Sequence, residues 1–316
     1  MSGQSTSLPE FTEKLLSAAR LAGADAADAL ASMGSAIEIN VRSGVLEQAE
    51  RSEAMDLGLR VFIGQRQAVV SGSDLRDDTL STMAERAVAM AKEAPDDPYA
   101  GLAAPEQLAM DWNIEELELY DAQPEPSAAA LEADALAAEA AALRVAGIEQ
   151  VDAASASYGS GQVHFQTSAG FSGGYQRSSW SISCVAIAGT GLQMERDYDF
   201  DNRIFQEDLT DPVEIGANAG ARAVARLKPS KPPTGQFPVL FDERVASSLI
   251  GHFLGAINGA SVARGSSWLL EGLGQQVFPD GTQLIEDPHR PRVAGSRPFD
   301  GEGLPTQRRH LFQDSF

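Results

Sequence analysis

The chain carries a single cysteine, Cys184, in 316 residues. No internal disulfide can form, which suits a reducing compartment or a fold that needs no oxidation. Histidine is scarce too. His164, His252, His289 and His310 are far apart, and no HExxH or CxxC spacing is present. A zinc site needs three or four nitrogen, sulfur or oxygen donors held together, so spacing alone yields no metal motif. No Gly-x-Ser-x-Gly nucleophile elbow is read, nor a Walker A loop or a dinucleotide fingerprint. No run approaches the roughly 18 apolar residues that span a bilayer. The opening MSGQSTSLPEFTEKLL has no basic region followed by an apolar core, so no secretory signal is read. A cytoplasmic location without a membrane partner is the expectation. Basic residues are outnumbered, 24 Lys and Arg against 45 Asp and Glu, for a net charge of −21. A polyanion of that size repels phosphate backbones and anionic lipid, so direct nucleic-acid binding is disfavoured.

What remains is ordinary globular material, 43% hydrophobic and 22% charged, long enough for two domains or one large one. Residues 9–23 read as a helix with Phe11, Leu15, Ala18 and Leu21 on one stripe. Ile37, Ile39 and Val41 alternate with polar residues, Ser43-Gly44 supplies a turn, and Leu57, Leu59, Val61 and Ile63 alternate again before Ala68–Val70. An antiparallel meander follows from that pattern. Asp77-Asp78 open a helix through Ala94. Residues 95–126 hold nine acids, no Lys or Arg and prolines at 95, 98, 105, 124 and 126; they read as a solvated linker, or as a docking surface for a basic partner. Residues 127–146 are alanine-rich and helical by propensity, with Gly147 as terminator. Asp152–Tyr158, Gln162–Thr167, Gly174–Val185 and Gln193–Asp201 read as antiparallel strands. Thr210 to Leu227 is a further helix with Pro212 in its first turn. The segment Lys228–Pro233, KPSKPP, is the clearest hinge.

The predicted class is α+β. It comprises a helix–antiparallel meander–helix unit with an acidic linker (1–126), a middle helix and antiparallel-sheet region (127–232), and the start of a mostly β C-terminal region (233–316). That last region opens on FPVLFDERVASSLIGHFLGAINGASVARGSSWLLEGLG, Phe237–Gly274. Val239–Phe241 reads as a short strand, Asp242 as an N-cap, the following residues as a helix, and Gly259–Ser267 as a loop. On an ideal helix His252 falls roughly 20° from Val245, on the side of Leu249 and Ala256, so a packed histidine is expected. Ser247, Gly251, Gly255 and Gly259 form a small face open to close backbone approach. Ser248 and His252 lie one turn apart, but no acid is positioned to orient them, and Cys184 sits in a predicted strand as a small hydrophobe. Further on, Thr282–Ile285 and Arg308–Phe316 read as strand segments around a Pro/Gly-rich loop. Five arginines and two histidines lie between Pro288 and His310. That cluster reads as a solvated loop, or as a surface for an acidic peptide or partner.

The run GHFLGAINGASVARGSSWLLEGLGQQVFPD, followed by FDGEGLPTQRR, closely resembles the TldD/PmbA family, formerly peptidase family U62 and once called modulators of DNA gyrase. LLSAARLAGADAADA, the meander and the helix at 127–146 fall in the family's order, so the resemblance covers essentially the whole chain. The family has two branches that pair as a heterodimeric metalloprotease, and homodimers also occur. The TldD-like branch carries HExxxH on a helix, with a later Cys ligand, and holds the metal. Histidines five apart would lie about 140° apart on a regular helix, so that motif implies local distortion. Carried across, the first histidine falls on Ser247, the glutamate on Ser248 and the second histidine on His252.

With those positions degenerate, the chain resembles the PmbA/TldE branch. The resemblance implies no metal and no cofactor in this chain, zinc in a TldD-like partner, and peptide substrates. Contact candidates for substrate or partner are Gly251, Gly255, Arg264, Ser266, Ser267, Arg308 and Arg309. Family members continue beyond the position of Phe316 with more β structure, so a truncated form is expected. A non-enzymatic peptide-binding or regulatory protein, and a self-sufficient hydrolase using Ser248 or Cys184, are the competing readings.

Overall fold

In the computed structural model residues 7–312 are described. They divide into two units. The first runs to Lys228 and takes in Pro288–Thr306; the second is Pro229–Asp287 with the residues from Gln307 on.

The first unit contains α1 (Leu8–Leu21), β1 (Ala26–Arg42), β2 (Val45–Ile63), β3 (Arg66–Gly72), α2 (Asp77–Glu93), α3 (Ala128–Leu143), β4 (Ile148–Thr167), β5 (Ser172–Ala188), β6 (Glu195–Arg203) and α4 (Pro212–Ala225). The strands form one antiparallel sheet in the order β3-β2-β1-β4-β5-β6. The α+β class and the meander are as the sequence pattern predicts. The strands are longer. Segments read as separate on either side of Ser52–Asp56 and of Gly159–Gly161 are single strands, β2 and β4. β1 and β2 close through a two-residue turn in which Ser43 and Gly44 both have positive φ, 57° and 74°. That geometry matches the right-handed twist of the hairpin it closes.

Side chains alternate across a strand, and the odd-numbered residues of β1 face the helices. Ala27, Ala29 and Ala31 pack with Leu8, Leu15 and Ala19 of α1 and Leu80, Ala84, Ala87 and Val88 of α2. Ile37, Ile39 and Val41 pack with Leu131, Ala135 and Ala138 of α3 and Ile215 and Ala219 of α4. One sheet face thus carries two separate cores, one near each end of β1. The alanines of strand and helix let backbones approach. In α4, a Cβ at Gly216 would collide with the Ala138 carbonyl of α3. Ser127 caps α3 through Ala130 N at 3.2 Å, and Asp211 caps α4 through Val213 N at 2.7 Å. Arg222 and Arg226 of α4 reach the outer strand β6. They bind the carboxylates of Asp199 and Asp197 and the backbone carbonyls of Tyr198 and Arg196.

The opposite sheet face is covered by a segment expected to be a solvated linker. Leu108, Ala109, Leu117, Leu119 and Asp121 are buried. Trp112 packs on Phe171 and Phe299. Most of the acidic residues are exposed, Asp121 being the buried exception, while the apolar ones interleaved with them cover Phe165 and Tyr175, so the acidic composition masks a packed strap. The arginine-rich loop is packed as well. Arg292 bonds Glu118 (3.0 Å), Glu207 (2.5 Å) and Asp208 (3.2 Å), and lies 4.0 Å from the Phe205 ring centroid. The cluster read as free for an acidic partner is thus, at Arg292, engaged by this chain's own acids. Arg60 likewise joins Asp28 and Glu302.

The second unit contains α5 (Glu243–Ile257), α6 (Gly259–Ala263), and a ribbon of β7 (Leu284–Glu286) with β8 (Arg309–Phe312). The strand expected beyond Phe312 lies outside the described residues. Val239–Phe241 is not a strand: no described strand pairs with it, and its side chains are exposed. Gly259–Ser267 is not wholly loop. Asn258 accepts from Ala260 N and Ser261 N and starts the short helix α6. Phe253, Ala256 and Phe312 are the buried apolar residues described in this unit, with Phe278 stacked on Phe312 at 4.8 Å.

Two outcomes are expected. Gly216→Ala should lower stability by about 1–3 kcal/mol through overpacking against α3, read as a lower urea midpoint at unchanged slope. The second concerns His164, whose Nδ1 meets Thr12 Oγ1 of α1 at 2.9 Å and whose Nε2 meets Ser172 Oγ at 3.2 Å. Burial lowers its pKa. The unfolded chain therefore takes up the proton first as pH falls, so this contribution is complete above about 6.5 and is lost as pH drops through that value toward the folded pKa. The urea midpoint should fall between pH 7 and pH 5, and the fall should shrink in His164→Gln.

Candidate functional site

Helix α5 carries the three residues read as a degenerate metal motif. It is α-helical from Glu243 to Ile257, started by Asp242, whose side chain accepts from Arg244 N at 3.0 Å. No distortion separates Ser247 from His252, so they keep the wide angular offset of a regular helix. Ser247, Ser248 and His252 are all exposed. Ser248 Oγ donates to the Val245 carbonyl at 2.6 Å, a bond back into its own helix turn. The expectation of a packed His252 is not met. The helical stripe is present, but of Val245, Leu249 and Ala256 only Ala256 is buried, because nothing described covers the upper part of that stripe. The small face is open as well: a Cβ at Gly251, Gly255 or Gly259 would meet nothing within 4 Å.

The contact candidates fall into two groups. Ser266 Oγ donates to the Ser261 carbonyl at 3.2 Å, and Ser267 Oγ to that of Ala256 at 2.7 Å. Ser267 Oγ also accepts from Leu269 N at 2.9 Å. These hydroxyls are occupied in holding the chain where it leaves α6. Arg264 is exposed at the end of α6. Arg308 pairs with Asp287 at 3.6 Å and Arg309 with Glu286 at 2.7 Å, along the β7–β8 ribbon. Both cations are therefore partly neutralised within the unit.

The donor set on α5 does not fit zinc. Neutral serine hydroxyls are poor zinc ligands, and a single imidazole leaves the coordination sphere far from filled. Among the described residues no three His, Cys, Asp or Glu side chains cluster as a metal-binding group.

The hydrolase candidates also lack activated nucleophiles. Cys184 is fully buried in β5, and burial, aided by Glu139 and Asp199, pushes its thiol up to about 12. It is a protonated core residue rather than a thiolate. Contrary to the expectation of no such motif, the spacing Gly-x-Ser-x-Gly occurs at Gly170–Gly174. It lies where β4 turns into β5 rather than at a strand-to-helix elbow. Ser172 there meets His164, but the other ring nitrogen faces the Thr12 hydroxyl instead of a carboxylate.

Sequence reading also missed two grooves at the middle of the sheet. On the helix-bearing face, a space of about 420 Å³ opens between the two cores, lined by Met33, Ser35, Glu53, Met55, Tyr120 and Gln162. On the other face Gly34, Gly159 and Gly161 floor a second groove beside Asp56 and Arg177. The signal was the break in apolar periodicity at Met33–Ser35, which reads as a strand interruption.

Three domains of one family match the chain in series. They are PmbA/TldA metallopeptidase domain 1 at residues 27–91, the central domain at 121–227 and the C-terminal domain at 234–314. A metalloprotease PmbA homolog of Haemophilus influenzae is 36% identical over 295 residues, covering 93% of this chain and 64% of that protein. The metalloprotease PmbA of Escherichia coli O157:H7 is 34% identical over 290 residues, covering 92% and 64%. The chain thus spans less than two thirds of the length of these relatives. Among solved structures, a candidate modulator of DNA gyrase from Bacteroides thetaiotaomicron superimposes with a TM-score of 0.84 at 25% identity, over 97% of this chain and 70% of that one. TldE from Thermococcus kodakarensis shares the fold, with a TM-score of 0.74 at 18% identity over 96% and 67%.

The state of Cys184 is directly measurable. In native protein at pH 8, iodoacetamide should leave it unmodified by mass spectrometry, and denaturant should expose it to complete alkylation. Rapid labelling of the native chain would contradict a buried, protonated thiol.

Proposed function

The chain belongs to the PmbA/TldD metallopeptidase family, and from that premise we propose that it is a PmbA/TldE-like subunit without its own metal. It works in a cytosolic TldD/TldE-type assembly that cleaves peptides or unfolded protein segments. Zinc and the hydrolytic water belong to a TldD-like partner. This chain contributes binding surface and positioning.

The observation that carries the reading is the chemistry of α5. On the family resemblance, the positions that would carry a metal-binding histidine and a general-base glutamate hold Ser247 and Ser248. A hydroxyl tied to its own helix, as Ser248 is to Val245, supplies neither ligand nor base near neutral pH. The same unit exposes Leu240, Trp268 and Leu273, at 98%, 67% and 102% relative accessibility. Exposed apolar groups of that kind suit a protein or peptide partner better than a small polar substrate. Gly251, Gly255, Arg264, Arg308 and Arg309 remain the candidate contacts on this surface.

A non-enzymatic peptide-binding protein is the second reading, favoured by the same exposed apolar residues. It differs in one respect: peptides bind to the chain alone, and adding a TldD-like chain produces no turnover.

Two measurements decide between them. Metal analysis of the purified chain is expected to give far less than one zinc per chain, unchanged in His252→Ala. A fluorogenic peptide is expected to be cleaved only after a TldD-like chain is added. One tightly held zinc per chain, lost on replacing His252, would sink the proposal. Peptide binding without turnover in the mixture would favour the second reading.

A further inference from the structure

A run of polar side chains between α1 and the β4–β5 hairpin ends at a solvent-exposed hydroxyl. Gln166 Nε2 donates to Glu13 Oε2 at 2.7 Å. Thr12 Oγ1 meets Gln166 Oε1 at 2.8 Å and His164 Nδ1 at 2.9 Å. His164 Nε2 meets Ser172 Oγ at 3.2 Å. Thr12 and His164 are buried, at 0% and 8% relative accessibility, whereas Ser172 is exposed.

Elimination places the protons. A carboxylate only accepts, so the Gln166 amide turns its nitrogen to Glu13 and its oxygen to Thr12. The Thr12 hydroxyl has one proton, and two acceptors compete for it, Gln166 Oε1 and the Pro9 carbonyl at 3.0 Å. His164 Nδ1 must then carry a hydrogen and donate it to Thr12. Nε2 keeps its lone pair, and the Ser172 hydroxyl donates to it.

The surroundings hold that geometry. Just beyond the pair, Thr167 N donates to the Phe171 carbonyl at 2.9 Å and Phe171 N to Thr167 Oγ1 at 3.2 Å. A side chain at Gly174 would collide with the Val163 carbonyl and press on the imidazole. The glycine thus leaves the room in which the ring reaches Ser172. The residue opposite His164 on β1 is Ala31, and Glu13 on α1 lies beyond Gln166 and Thr12. Burial is what moves the ring's pKa, downward, so the imidazole is neutral at pH 7.

In a hydrolytic triad the carboxylate at Nδ1 does two things: it fixes the tautomer and stabilises the imidazolium. Thr12 does the first without the second. We infer that Ser172 is a site of covalent acylation, taking one uncharged acyl group from an activated ester or thioester and keeping it. As the bond from Oγ to the carbonyl carbon forms, the Oγ proton passes to His164 Nε2. The bond from that carbon to the leaving oxygen or sulfur breaks, and the leaving atom takes the proton from Nε2. The resulting serine ester has a poorer leaving group than the donor, and no carboxylate supports the imidazolium, so hydrolysis lags far behind acylation. Glu13 and the net charge of −21 disfavour a phosphate-bearing donor.

This inference is independent of the metal-free reading, because it needs no zinc and is tested with a chelator present. The full chain is mixed with p-nitrophenyl acetate. The expected result is a burst of one p-nitrophenolate per chain without steady turnover, and an acetyl group at Ser172 by peptide mass spectrometry. Ser172→Ala should abolish the burst. His164→Gln and Thr12→Val should each slow it by at least about tenfold, and Thr12→Ser should keep it, with circular dichroism checking each fold. The pH profile separates a base-assisted serine from one that is merely exposed. With His164 as base the rate is flat above about pH 6.5, whereas an unassisted hydroxyl keeps gaining with hydroxide. If a variant fails to fold, the mapped residue and the wild-type pH profile decide. Acetylation confined to lysines, a rate unchanged in folded His164→Gln and Thr12→Val, a rate tracking hydroxide, or steady turnover would each overturn the proposal.

Discussion

Everything in the first unit depends on β1 being hydrogen-bonded on both sides. The strand spans Ala26–Arg42, roughly 55 Å at the rise of an antiparallel strand. Its ladders to β2 and β4 cover nearly that whole length. Because side chains alternate, one register fixes both cores at once. The odd residues deliver Ala27–Ala31 to α1 and α2, and Ile37–Val41 to α3 and α4. A slip of one residue would turn both sets away from their helices together. The groove over Met33 and Ser35 is the span that neither helix pair reaches.

The packing that results is close rather than bulky. Alanine dominates where α3 meets the sheet and where α3 meets α4. Close backbones leave no slack, as Gly216 against Ala138 illustrates. Charge is arranged on the same frame. A chain with net charge −21 concentrates much of its limited cation supply on its own acids. Arg292 serves three carboxylates, and Arg222 and Arg226 serve two more. The left-handed φ of both Glu118 (45°) and Arg292 (58°) belongs to that contact, in which Arg292 N also bonds the Leu117 carbonyl at 3.0 Å.

The helices were legible because their stripes and caps are local. Strand lengths were not. Gly159-Ser160-Gly161 has turn composition, yet it runs straight through β4 opposite Gly34 and Ser35. Glycine permits a turn without requiring one. Here it lets backbones pass closely, since a Cβ on Gly34 would sit 2.8 Å from the Ser160 carbonyl. The acidic segment misled for a related reason. Its nine acids and five prolines read as a solvated linker, but Leu108, Leu117 and Leu119 carry the packing. On α5 the wheel placed His252 with Val245 and Leu249 correctly; what a wheel cannot give is whether anything covers that stripe.

The central position of β1 has a consequence in time. Its hairpin with β2 is local and closes through a two-residue turn, so it can form soon after these residues leave the ribosome. Its other ladder must wait for β4, more than a hundred residues later in the chain. Such non-local pairing is slow, and until it forms the hairpin shows an open edge on each side. Aggregation during synthesis should therefore depend less on the stability of the finished sheet than on how quickly Ile148–Thr167 arrives. Translation pauses between α2 and α3 would lengthen that exposure without altering a single native contact.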